Sequence, residues 1–304
     1  MYYFSEEERK YLSKGLVPRS RAVGVAEELR GWNWMEPPLE PSYDVRLGVY
    51  EVASKYCPSG RDIYLRRVVK VRAPATSSMV RGRVLHSVVG EMLTESKKLL
   101  YTYGHSACSS ILGMAEQVLE VPDSDRQLLG DTYEDVVEDS KVLREYEAIR
   151  IVSRIQDLVS RYPHISRDSL ACLSIPVVVD QHLDGAMLGL SSHLRTDATT
   201  IGEPIVLDLK VGEKRDFHRI QTTAYALVTE ALYDYPVNIG CIVYLNLSKG
   251  NLTVERDFHI ISDEMRQWFV EERDAKAAIV GEGMDPGRAT SCDAQCQFYK
   301  TCWS

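Results

Sequence analysis

The sequence predicts an α/β (α+β) fold with a central mixed sheet flanked by helices, and three observations carry that expectation. Short β-branched runs recur late in the chain: LSIPVVV, the run closing on LRTDATT, PIVLDLKVG, Asn238–Leu245 and Asn251–Phe258. From Ser77 the segment SSMVRGRVLHSVVGEMLTESKKLLYTY places Met79, Leu85, Val89, Met92 and Leu93 near 3.6-residue spacing, the mark of a long amphipathic helix. A further helical pattern, DFHRIQTTAYALVTEALY, separates the third strand run from the last two.

Taken in order, Ser5–Ser13 reads as a short helix, followed by Pro-punctuated chain around NWMEPPLEPSYDV. Trp32, Trp34 and Tyr43 there need a core to lie against. Leu47–Tyr56 reads as helical and Arg61–Val71 as helix then strand. Residues 104–172 are acidic and helical, with a loop expected at VPDSDRQLLGD and a long helix from about Glu138 to Arg161. The last two strands join at Ser248-Lys249-Gly250-Asn251, and a final helix, Asp263–Val280, leads to a cysteine-bearing tail. The expected organisation is an N-terminal extension over 1–72, a core from 73–103 and 173–281, a helical insertion at 104–172, and a tail segment at 282–304.

The chain has 304 residues, 44% hydrophobic and 26% charged, the composition of a soluble globular protein. No stretch approaches the roughly 18 consecutive apolar residues of a membrane helix, so no membrane association is expected. The acidic, amphipathic start MYYFSEEERKYL is unlike a secretory signal, and a cytoplasmic location is expected.

The net charge of −8 argues against a nucleic-acid binder until it is divided along the chain. Residues 1–103 carry 17 Lys/Arg against 12 Asp/Glu, whereas residues 173–304 carry 12 against 19. Arg61, Arg66, Arg67, Lys70, Arg72, Arg81 and Arg83 fall within one short span that holds a single acid. Screening confines each charge to about 8–10 Å, so a local stripe can bind phosphate whatever the global sign. A solvated surface would look the same.

The chemistry concentrates between Leu173 and Tyr225. Asp208 and Lys210 lie two apart in a strand run and so share a face, where Asp197 can join them if the strands pair. Two carboxylates and a lysine suit Mg²⁺ or Mn²⁺ together with a phosphate. A D-x-K triplet alone is commonly an exposed pair, but the apolar flanks of LDL make that reading weaker. His86 lies beside the apolar stripe of its helix, where a histidine is more often a satisfied core residue than a ligand.

Seven cysteines in a cytosolic chain argue against disulfides. Cys292, Cys296 and Cys302 crowd the tail and read as a metal or iron–sulfur site one ligand short, with Cys57 in its Pro/Gly turn as the best fourth. Spacing does not separate zinc from a [4Fe–4S] cluster, although one lone cysteine facing a triplet favours iron–sulfur. Cys108, Cys172 and Cys241 have apolar surroundings and read as core residues.

Together, GRVLH (Gly82–His86), LRTDA (Leu194–Ala198), VLDLKVG (Val206–Gly212), QTTAY (Gln221–Tyr225), the cysteines and GLVPRSRAVGVAEELRGWNW closely resemble the CRISPR-associated RecB-like iron–sulfur exonucleases of archaeal subtype I-A systems. The resemblance covers nearly the whole chain and implies a restriction-endonuclease-like PD-(D/E)xK core with a C-terminal iron–sulfur clip. It implies His86, Asp197, Asp208 and the Leu209 carbonyl as metal ligands, Lys210 as the catalytic lysine, and Gln221 and Tyr225 as DNA contacts. The [4Fe–4S] cluster would sit on Cys57, Cys292, Cys296 and Cys302. The chain departs from many relatives in having Asp208 where they have Glu, and in a C-x₃-C spacing one residue longer than usual. The implied activity is metal-dependent exonucleolytic trimming of DNA, single-stranded or with single-stranded ends, during spacer acquisition alongside other adaptation proteins, the integrase among them. The alternative is a non-catalytic factor that holds DNA ends for that integrase. A zinc-stapled nucleic-acid-binding module would explain the cysteines and the basic residues but not the acids.

Overall fold

Five strands pair in sequence order into one mixed sheet: β1 (Val177–Leu183), β2 (Leu194–Thr200), β3 (Ile205–Val211), β4 (Ile239–Ser248) and β5 (Asn251–Ile260). Neighbours are antiparallel except β3 and β4, whose parallel pairing runs from Ile205↔Ile239 to Val211↔Leu245. A parallel pair needs a crossover, supplied here by the helix Arg219–Tyr233. The computed structural model describes residues 1–248, 250–292 and 296–303. Lys249, one residue of the expected β4–β5 turn, lies outside the described residues.

Helices cover both faces. In chain order they are α1 (Glu6–Tyr11), α2 (Val17–Val23), α3 (Val49–Ala53), α4 (Arg61–Arg67), α5 (Ser77–Tyr103), α6 (Cys108–Gly113), α7 (Asp123–Leu129), α8 (Tyr133–Arg161), α9 (Arg167–Ser174), α10 (Arg219–Tyr233), α11 (Asp263–Glu282) and α12 (Tyr299–Trp303). Strand alternation sorts the central residues between two cores. Ile205, Leu207 and Leu209 join Ile239, Cys241, Val243 and Leu245 under α5, α8 and α9. Val206 faces the other way, toward α3, α10 and α11. The mixed, helix-flanked sheet expected from sequence is thus present. Among the described residues no helix is long and apolar enough to cross a membrane.

Several expectations need correction. The loop expected at residues 121–131 contains helix α7, and the basic segment after Cys57 forms α4 with no strand. The first helix does not stop near Ser13: a π-helical stretch, Leu12–Leu16, carries it into α2. Met79 is exposed, so the buried stripe of α5 begins at Val80 and runs through Leu85, Val89 and Met92 to Leu100. Thr76 caps α5 by accepting from the Met79 amide, and Gly104 ends it at φ +61°. A Cβ there would meet the Arg167 side chain at 3.1 Å. Residues 104–172 are helical and pack into the main core, where Leu143, Ile151, Ile155 and Leu170 join Leu85, Met92 and Leu207.

The N-terminal extension divides between the faces. Met1, Tyr2 and Tyr3 are buried in the α5/α8 core, where the Met1 ammonium pairs with Glu147 of α8. Farther on, a buried network fixes the extension to the opposite face. Glu230 of α10 accepts from Arg30 at 2.8 Å, from the Gly31 amide at 2.9 Å, and from Arg266 at 2.7 and 2.9 Å. It also accepts from the Val237 amide at 2.9 Å. Both Glu230 and Arg266 are fully buried. Breaking such a pair leaves an uncompensated buried charge at a cost of about 3–5 kcal/mol. Glu230→Ala is therefore expected to lower the melting temperature by roughly 5–8 °C, and a melting curve within 2 °C of the parent would refute the role given to this network.

Candidate active site

The β2–β3 ladder is short. Its pairs are Ala198↔Leu207 and Thr199↔Val206, and the next position in register would join Asp197 to Asp208. There the strands part. The Leu209 amide donates instead to Asp197 Oδ2 at 2.6 Å, so a side chain completes a bond the ladder leaves open. Two carboxylates consequently stand side by side at a fork in the sheet.

Asp208 is only 2% exposed. Lys210, two residues on along β3, brings its ammonium within 2.6 Å of Asp208 Oδ2, as a shared strand face requires. That contact is a close, largely buried ion pair, and Lys210 is the partner of Oδ2. His86 reaches across from α5 to place Nε2 3.1 Å from Asp197 Oδ1.

The electrostatics are opposed at the two acids. Burial pushes the Asp208 carboxyl up to about 6, with the Asp197 charge adding to the rise and Lys210 opposing it. Burial works upward on Asp197 too, but the His86 hydrogen bond and charge, Lys210 and the Leu209 amide together hold it below the usual carboxylate range. His86 loses by burial and gains more from Asp197, Asp208 and Asp180, so its imidazole is raised.

On α10, Tyr225 lies against the two acids: burial first, then Asp208 and Asp197, raise its phenol. Gln221 sits one helical turn earlier, and both side chains are largely covered. An open cleft of about 300 Å³ beside His86 is lined by Arg83, Ser87, Gly90, Glu91 and Asp180 among others.

The basic residues expected to bind DNA do not form one free stripe. Arg67 is bidentate with Glu51, and Arg66 lies 3.8 Å from the same carboxylate. Arg81 pairs with Asp139 of α8 at 2.8 Å, and Arg83 with Asp125 of α7 at 2.7 Å.

Two residues near the acids escaped sequence reasoning. Asp180 lies in β1 at the register position opposite Asp197, with φ +51°. An acid interrupting the β-branched run VVVDQHL was a signal that could have found it. The Tyr2 hydroxyl is buried with no hydrogen-bond partner, and burial followed by Asp197, Asp208 and Asp180 raises its phenol. Nothing in its sequence context marks that position.

Of the expected cluster cysteines, Cys57 and Cys292 lie near enough to Cys296 to act on its thiol, without forming a metal-ligand group among the described residues. Burial raises the Cys296 thiol, and the neighbouring Cys57 and Cys292 add to that rise. Cys302 reaches the Arg61 guanidinium instead. All four are half-buried and free of disulfides. Asp293, Ala294 and Gln295, between the first two tail cysteines, lie outside the described residues. The tail is better anchored than its polar composition predicts, because Phe298 is 2% exposed and Arg66 lies over its ring at 5.6 Å. Among the described residues no three His, Cys, Asp or Glu side chains are gathered closely enough to hold a metal ion, at the cysteines or at the acids of the fork.

The family described as CRISPR-associated exonuclease Csa1 matches residues 1–304. A curated protein of that name from Saccharolobus solfataricus is 29% identical over 300 residues, covering 99% of each chain. Another of the same name, from Thermoproteus tenax, is 28% identical over 280 residues and 92% of each chain.

Proposed function

The chain belongs to the family of CRISPR-associated exonucleases described as Csa1, and on that footing we propose that it is a metal-dependent deoxyribonuclease that trims DNA ends during spacer acquisition. The observation that carries this reading is the fork between β2 and β3. Asp197 and Asp208 adjoin there, Lys210 stands beside one acid and His86 beside the other.

By residue type the donors suit a hard divalent cation, being carboxylate oxygens and an imidazole nitrogen. Asp197, Asp208, His86 and the Leu209 carbonyl would hold Mg²⁺ or Mn²⁺. When bound, such an ion supplies Lewis acidity toward phosphoryl oxygen and acidifies water. The remaining work belongs to side chains. The Leu209 amide fixes the orientation of Asp197, and Lys210 places a positive charge where the phosphate becomes more negative. Tyr225 is buried close enough to both acids to feel their charge. In this reading the core is of the PD-(D/E)xK type.

A [4Fe–4S] cluster held by Cys57, Cys292, Cys296 and Cys302 would join the loop after α3 to the C-terminal tail. Cys57 and Cys292 both act on the Cys296 thiol, which supports the clip. DNA with an accessible single-stranded end is the proposed substrate, and the integrase complex the proposed partner.

The test is degradation of linear and covalently closed single-stranded DNA by the purified full chain, with Mn²⁺ or Mg²⁺ and with chelator. Metal-dependent loss of the linear strand alone is expected. Binding of DNA ends without cleavage under any of these metals would favour an end-holding adaptation factor instead.

A further inference from the structure

Beside Lys210 lies an aromatic group that the proposed chemistry does not use. In the β3–β4 register Lys210 pairs with Tyr244. The Tyr244 hydroxyl lies 3.1 Å from Nδ1 of His218, just past the loop that follows β3. The other imidazole nitrogen lies 3.4 Å from the hydroxyl of Tyr56. Phe217 stands edge-on to Tyr56, with centroids 5.0 Å apart and planes at 86°. Tyr56 is 58% exposed and Phe217 half-buried, so the group has a buried root and an open face.

We propose that Tyr56 and Phe217, braced by His218 and Tyr244, form a stacking subsite for one unpaired nucleobase next to the scissile phosphate. The subsite rests on the nuclease reading and narrows its substrate to a strand whose terminal bases are unstacked. Three observations point to that occupant. An exposed ring edge-on to a second aromatic offers a flat face at little entropic cost, and every base has a π-face to lay on it. Two cations stand near: Lys210 and Arg215 both bear on Tyr56 and on His218, each also paired with an acid, Asp208 and Glu213. Burial, with those two charges assisting, holds His218 at about 4, so a neutral imidazole braces the rings at neutral pH. Finally, Tyr56 immediately precedes a turn in which the Gly60 amide donates to the Cys57 carbonyl at 3.2 Å, so the segment that presents the ring is held one residue away. A duplex terminus could not use the subsite without opening, because its bases are stacked on their neighbours.

The experiment measures affinity of the full chain for a short single-stranded oligonucleotide in chelator, with either a normal or an abasic nucleotide at each position near the end. Cleavage of the same oligonucleotide is followed in parallel with Mn²⁺. Tyr56→Ala is expected to weaken binding about tenfold, and Tyr56→Phe, which keeps the ring and loses the hydroxyl, to leave it unchanged. One abasic position should weaken the parent by a similar factor and the Tyr56→Ala variant by less than twofold. Phe217→Ala should reproduce the loss, and a circular dichroism melt of Tyr56→Ala should match the parent because the ring is exposed. Cleavage by the parent together with undiminished affinity of Tyr56→Ala for the normal strand would overturn the subsite and leave the nuclease standing. Absence of both binding and cleavage by the parent would overturn both.

Discussion

Asp208→Asn is expected to abolish metal-dependent DNA cleavage and, in chelator, to make the protein more stable. Both effects follow from one geometry. Asp208 is buried, abuts Asp197 at the fork, and has Lys210 against one oxygen. Burying a charge beside a like charge disfavours the ionised form, which is why its carboxyl is pushed up. A carboxamide of the same shape removes the repulsion and is expected to add on the order of 2 kcal/mol of stability. It also removes the charge a cation needs, at a loss in cleavage rate of about 10³-fold or more. Lys210→Met should be equally inactive yet less stable, because it strips the ammonium from Asp208 and leaves that carboxylate buried and unpaired. Melting curves in chelator and with Mn²⁺ separate these outcomes: the metal should raise the parent's midpoint and leave that of Asp208→Asn in place. Near-native cleavage by either purified variant would remove the chemistry from this fork.

Local pattern made much of this site readable. Period-two alternation in VLDLKVG is enough to put Asp208 and Lys210 on one face, and helical spacing in QTTAY is enough to set Gln221 and Tyr225 a turn apart. What alternation does not reveal is where a ladder stops. The β2–β3 register sets Asp197 opposite Asp208, but its hydrogen bond to the Leu209 amide depends on the ladder ending after two pairs, a consequence of three-dimensional packing. The basic residues show the opposite failure. Read along the chain they make a stripe, but their partners Glu51, Asp125 and Asp139 come from elsewhere in sequence, and charge counting over a window misses such pairings. Asp180, Tyr2 and Tyr56 reach the active-site surroundings from β1, the N-terminus and the turn before Cys57. Their contribution is tertiary, and only the acid within a β-branched run left a trace.

The second large effect is expected at the tail. If Cys57, Cys292, Cys296 and Cys302 hold one [4Fe–4S] cluster, protein purified without oxygen should be brown, with roughly four irons per chain. Four-thiolate metal sites contribute binding free energy to folding, on the order of 10 kcal/mol where the metal organises the whole unit. Here the effect should be smaller, because the tail has other anchors. Phe298 is buried under Arg66, Arg61 is bidentate to Asp285, and Arg288 donates to the Cys302 carbonyl. Cys57→Ser is accordingly expected to lose its iron and several degrees of melting temperature while remaining folded. Cys108→Ala and Cys172→Ala should keep the iron, since neither thiol belongs to the group around Cys296. Because Tyr56 adjoins Cys57 and bears on His218, the iron-free variant should also bind single-stranded DNA less tightly than the Cys108→Ala control. Stoichiometric zinc without iron in anaerobic protein would replace the cluster but keep the clip. Unchanged metal content and melting temperature in Cys57→Ser would dispose of the clip itself.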